Sequence, residues 1–160
     1  MRRLVPFLVT ALLFAAAPAA AQSGAAFAKP GKFGLGVGGS SRANGITGKY
    51  YFTDRIAVQA SAGAWFPYGV SLDVDGLYDM PSFYRNDAFS LNWYLGAGVG
   101  SGFFDRNGGL GLHGFGGVGF QLAKLPLEVT AELGPSFFFG NYDWGGFRLE
   151  GGGAVRWYFL

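Results

Sequence analysis

Along most of this chain hydrophobic and polar positions alternate with a period of two, and the stretch from Phe147 to Leu160 shows it most plainly. There Phe147, Leu149, Val155, Trp157 and Phe159 share one face, while Arg148, Glu150 and Arg156 share the other with small glycines. Period two is the signature of a β-strand. The apolar face ends in aromatics and carries no charge, and the opposite face holds every charge in the stretch. A wall between lipid and a polar lumen has this composition.

Seven earlier segments repeat the pattern. Residues 32–39 set Phe33, Leu35 and Val37 against Lys32 and glycines, and residues 46–52 set Ile46, Tyr50 and Phe52 against Lys49 and Tyr51. Residues 56–65 oppose Ile56, Val58 and alanines to Gln59 and Ser61, and residues 70–78 oppose Val70, Leu72 and Val74 to Ser71, Asp73 and Asp75. Then come residues 89–103, 110–122 with His113 and Gln121 on the polar face, and 127–139 with Glu128, Thr130 and Glu132 opposite Leu127, Val129 and Leu133. Turn signals separate them, among them Thr53-Asp54-Arg55 and Asp105-Arg106-Asn107-Gly108-Gly109; the longest connection is Met80 to Asp87. Eight short-connected strands predict an all-β fold, an eight-stranded antiparallel up-and-down transmembrane β-barrel with both termini on the periplasmic side. Pro135 cannot donate to a ladder and is expected near a rim.

A soluble barrel also alternates, with its apolar face inward, so two further features choose between the orientations. Aromatics fall at both ends of the segments: Tyr50, Phe52, Trp93, Trp157 and Phe159 near one rim, and Trp65, Phe66, Phe103, Phe137, Phe139 and Phe147 near the other. Two such levels match the interfacial girdles of a membrane barrel. The polar face is rich in glycine, at Gly34, Gly36, Gly96, Gly98, Gly117, Gly119 and Gly152, where a solvated surface would carry Lys and Glu. Small residues suit a narrow interior.

The N-terminus changes the picture again. Met1-Arg2-Arg3, the apolar run from Leu4 to Ala17 and the small residues Ala19 to Ala21 read as a signal peptide cleaved after Ala21. The expected organisation is leader 1–21, a periplasmic lead-in 22–31 and the barrel 32–160. Of the 12 basic and 10 acidic residues, Arg2 and Arg3 account for the formal +2, so no nucleic-acid partner is expected. Charged residues are 14% of the chain against about 25% in soluble domains. No apolar run after the leader approaches the roughly 20 residues of a spanning helix, so the apolar surplus must be spread through strands. Cysteine is absent.

With the apolar face outward, the lumen receives Lys32, Lys49, Arg148 and Arg156 with Asp73, Asp75, Glu128, Glu132 and Glu150. Unpaired charge in a partly dry interior costs several kcal/mol, so near balance predicts a paired network that plugs the lumen, with space-filling by Tyr51, Tyr94 and Phe115. No catalytic, cofactor or metal residue is expected. His113 is the chain's one histidine and is followed by Gly114-Phe115, which supplies no neighbouring nucleophile. Asp73-x-Asp75 lacks the turn of oxygen ligands that calcium favours, and Gly34-x-Gly36-x-Gly38 alternates with apolar residues as a strand and opens no helix.

The strand patterns Lys32-Phe33-Gly34-Leu35-Gly36, Gly48-Lys49-Tyr50-Tyr51, Leu127-Glu128-Val129, Glu132-Leu133-Gly134-Pro135 and Gly151-Gly152-Gly153-Ala154-Val155-Arg156-Trp157-Tyr158-Phe159 span the chain after its leader. They resemble the small eight-stranded outer-membrane barrels of Gram-negative bacteria, of the OmpX and OmpA membrane-domain type. More narrowly they resemble a family of compact single-domain outer-membrane barrels to which no activity is assigned. The resemblance implies insertion by the barrel-assembly machinery, which reads a terminal strand ending in an aromatic; here Leu160 follows Phe159. The expected protein is a non-enzymatic, monomeric outer-membrane barrel surrounded by lipids and lipopolysaccharide, with a structural or envelope-integrity role. A narrow pore for ions or small solutes is the alternative, ahead of an adhesin or a lipid A-modifying enzyme.

Overall fold

The computed structural model describes residues 31–40, 44–65, 69–104, 107–139 and 146–159. The alternating segments all become strands: β1 Phe33–Ser40, β2 Asn44–Tyr51, β3 Ile56–Trp65, β4 Gly69–Asp79, β6 Phe89–Phe104, β7 Asn107–Leu122, β8 Leu127–Phe139 and β9 Gly146–Phe159. One short strand, β5 Tyr84–Arg85, interrupts the longest connection and pairs with Leu91 and Ser90 of β6. Neighbours pair antiparallel in sequence order, β4 pairs with β6, and β1 pairs with β9. The eight long strands therefore close into an up-and-down barrel with no free edge, as the alternation predicts.

The register fixes the barrel's shape. Gly36 faces Thr47, then Ser61, Asp73, Gly100, Gly111, Phe138 and Gly146 in turn around the wall. From Gly146 the β9–β1 register returns to β1 about ten residues from Gly36, a stagger that corresponds to strands tilted roughly 40° from the axis. The strands extend further than large apolar residues alone indicate. Gly45 pairs with both Gly38 and Gly63, and Asn107, Gly108 and Gly109 pair with Phe104, Phe103 and Gly102. Backbone pairing needs no side chain, so glycine-rich stretches that read as loops continue the ladder.

Pro135 is a correction of position. It lies inside β8, where it pairs with Leu149 of β9, while the β7–β8 ladder skips from His113↔Ser136 to Gly116↔Leu133. The missing N–H interrupts only one side of the strand, which a closed wall absorbs.

One rim carries both ends of the described chain and the turns 52–55, 80–88 and 123–126; we call it the terminal rim. Gly31, with φ +83°, turns the chain there and donates its N–H to the Tyr51 carbonyl at 2.9 Å. Residues 1–30, which the sequence reading takes as a leader and most of a lead-in, and residues 41–43, 66–68, 105–106, 140–145 and 160 lie outside the described residues. On the eight wall strands no outward-facing side chain among the described residues is charged. Phe33, Leu35, Val74, Leu95, Val99, Leu112 and Leu133 are 40–56% exposed on this face. Tyr50, Phe52, Trp93, Trp157 and Phe159 are exposed toward the terminal rim, and Phe103, Phe137, Phe139 and Phe147 toward the other. The side chain of Trp65 and all of Phe66 lie outside the described residues.

Candidate functional site in the lumen

Inward positions of adjacent strands meet in layers, and the layers nearest the terminal rim are filled. Their centre is Glu128 on β8. Its carboxylate accepts from Tyr158 Oη at 2.8 Å, Gln121 Nε2 at 3.0 Å and Arg156 Nη1 at 3.3 Å, and Lys49 Nζ lies 3.6 Å away. Gln121 and Arg156 are its cross-strand partners on β7 and β9. Lys49 also lies 3.8 Å from Asp79 and 4.8 Å from the ring centres of both Tyr51 and Tyr94, so two aromatic faces help hold the ammonium. Asp79 accepts from Tyr51 Oη at 2.6 Å. Lys49, Glu128 and Arg156 are each only 1% exposed.

Arg156 links this layer to the next. Its Nε and Nη2 donate to Thr47 at 3.3 and 3.1 Å, Nη2 reaches Gln59 Oε1 at 2.5 Å, and Nη1 reaches Thr130 at 3.5 Å. Gln59 Nε2 in turn donates to Glu132 at 3.3 Å and Asp75 at 3.4 Å, and Tyr94 Oη donates to Glu132 at 2.8 Å. Asp75 meets His113 Nε2 at 2.5 Å. That last contact spans three strands: Gly98 of β6 is the cross-strand partner of both Asp75 and His113. A Cβ on Gly98 would collide with the Asp75 carboxylate and with the β4 backbone at Val74 and Asp75, so the glycine lets both the wall and these two groups come this close.

Other inward glycines make room for rings in the same way. Gly34 faces Tyr158, Gly96 faces Phe115, Gly117 faces Tyr94 and Gly111 faces Phe138. A Cβ at any of the four would come within 3.0 Å of the facing ring. Each aromatic thus lies over a glycine of the next strand, and the space those glycines leave is occupied rather than open.

Toward the far rim the filling stops. A cavity of about 70 Å³ is lined by Asp73, Asp75, His113, Glu132 and Glu150, with Arg156 at its inner end. That exceeds the roughly 10–15 Å³ that a single water requires. Among the described residues no group of His, Asp and Glu is arranged to hold a metal ion.

The sequence-predicted lumenal residues thus separate. Lys49, Asp75, Glu128, Glu132 and Arg156 meet in one network. Asp73 and Glu150 line the cavity beyond it, and Arg148 lies 5.9 Å from the ring centre of Phe138. Lys32 precedes β1 and is half-buried, and it joins none of these bonds among the described residues. Asp79 was missed because the fourth segment ends at Tyr78 in the sequence reading. Continuing the inward series Asp73, Asp75 and Leu77 by one step would have found it. Tyr158 and Thr47 were missed as partners, although each occupies an inward position.

No protein-family model and no curated protein matches the chain. Among solved structures, the crystal structure of the N-terminal β-barrel domain of Pseudomonas aeruginosa OprF matches with 14% identity and a TM-score of 0.41. The match covers 80% of this chain and 98% of that one.

Proposed function

We propose that the protein is an integral outer-membrane barrel with a structural role in the envelope, its wall facing lipid and its lumen closed. One observation carries the reading: the molecule is inside out relative to a soluble protein. Among the described residues the outward faces of the eight wall strands carry no charge and are mainly apolar, and the most deeply buried side chains include Lys49, Glu128 and Arg156. In water such a wall would expose far more contiguous apolar surface than a monomer tolerates, whereas a bilayer covers it. The reading of a closed lumen is supported by the layers around Glu128, where Tyr51, Tyr94, Tyr158, Lys49 and Arg156 are buried toward the terminal rim.

The pore reading draws on the acidic cavity, which would be the mouth of a cation path if the filled layers opened. Purified protein in a planar bilayer decides between them. The closed reading expects no steady conductance. Stable openings whose ion selectivity shifts in Asp73→Asn or Glu132→Gln would refute it, because those carboxylates would then line a continuous water path. We propose no catalytic activity and a monomeric state.

A further inference from the structure

The outer wall is not uniform: a shallow apolar groove crosses it where β3, β4 and β6 meet below the terminal rim. Ile56, Tyr78 and Leu95 are consecutive register partners and form its ridges, 41–48% exposed. In the next outward row Gly76 and Ala97 form the floor, paired with each other across β4 and β6. A Cβ built on Gly76 would find nothing nearer than the Ala97 carbonyl at 3.9 Å, so the groove is open space left by a missing side chain.

A pair of opposite charges stands at the rim end of this groove. Arg55 immediately precedes Ile56, its carbonyl accepts from Asp79 N–H at 2.7 Å, and its Nη1 lies 3.4 Å from the Tyr78 hydroxyl. The side chain is therefore tied to one ridge of the groove. Asp54 precedes it in the same exposed turn, whose Thr53 hydroxyl accepts the N–H groups of Arg55 and Ile56 at 3.1 and 2.9 Å.

We propose that this groove is a binding site for a zwitterionic glycerophospholipid with a primary ammonium headgroup, of the phosphatidylethanolamine class. The upper part of an acyl chain lies between Ile56, Tyr78 and Leu95 over Gly76 and Ala97. The phosphate takes the Arg55 guanidinium, which matches its oxygens with a fork of donors. The ammonium takes the Asp54 carboxylate. The turn carries one charge of each sign, which complements a headgroup with both and gives no net attraction to an anionic lipid. The site rests on the membrane reading above, and the test separates the two.

Native mass spectrometry of the protein released from mixed micelles counts retained lipid, with phosphatidylethanolamine and phosphatidylglycerol offered at equal concentration. Flotation of the same preparations with vesicles reports membrane insertion independently. Wild type should float and should retain one phosphatidylethanolamine at least threefold over phosphatidylglycerol. Gly76→Leu, whose Cβ would enter open space on the groove floor, and Arg55→Gln should each reduce total retention at least threefold. Asp54→Asn should abolish the preference between the lipids, and Lys124→Gln, in another turn of the same rim, should change nothing. Failure of wild type to float would refute the membrane reading. Flotation with equal retention of both lipids, or with retention unaltered in Gly76→Leu and Arg55→Gln, would overturn the lipid site alone.

Discussion

Removing Glu128 should destabilise the barrel more than any other single lumenal change, because two buried cations depend on it. Glu128→Ala leaves Lys49 with Asp79 at 3.8 Å as its remaining carboxylate, and leaves Arg156 Nη1 with Thr130 at 3.5 Å. Loss of one partner of a buried ion pair costs about 3–5 kcal/mol, and the loss of a shared anion places this variant near 4. Arg156→Met should cost less, about 3 kcal/mol, since Glu128 keeps Lys49, Tyr158 and Gln121. In the double variant neither group remains to be orphaned by the other, so the sum of the singles overcounts. A total of about 4–5 kcal/mol is expected, a coupling of about 2–3. Urea unfolding in lipid vesicles, followed by tryptophan fluorescence, measures all four corners of the cycle. Additivity within about 0.5 kcal/mol would refute the argument, because it would mean that each charge is solvated by water and not by its partner.

Three further outcomes follow from the same geometry. Val74→Arg, outward on β4 and further from the terminal rim than the groove, should cost about 2–4 kcal/mol in the same assay, whereas Ser61→Lys, which lines the acidic cavity, should cost under about 1; equal costs would contradict the assignment of faces. Gly117→Ala should cost about 1–3 kcal/mol by driving a methyl into the Tyr94 ring, and Tyr94→Leu in that background should recover part of it; a loss unaffected by shortening Tyr94 would rule out the steric cause. Gly98→Ala should separate Asp75 from His113, seen as a changed His113 ring resonance in NMR spectra; an unchanged resonance would show that the glycine is not what brings them together.

The alternation was enough, by itself, to give eight strands, their faces and their antiparallel order. Side-chain direction in a strand depends only on odd or even position, and short connections leave little choice of partner. It therefore placed Lys49, Glu128 and Arg156 inside. It could not place strand ends within glycine runs such as Gly45 or Gly108-Gly109, since backbone pairing leaves no mark in side-chain composition. Nor could it say which inward residues touch. That depends on the stagger around the wall, which brings Lys49 of β2 to Glu128 of β8 and Arg156 of β9 to Gln59 of β3 across the lumen. The sequence reading assigns the space at the inward glycines to Tyr51, Tyr94 and Phe115 without saying which ring meets which glycine; the fold lays a ring over Gly34, Gly96, Gly111 and Gly117 and the Asp75 carboxylate over Gly98. Whether a small residue leaves a hole or a seat is a property of its neighbour on the next strand. Only the closed barrel supplies that neighbour.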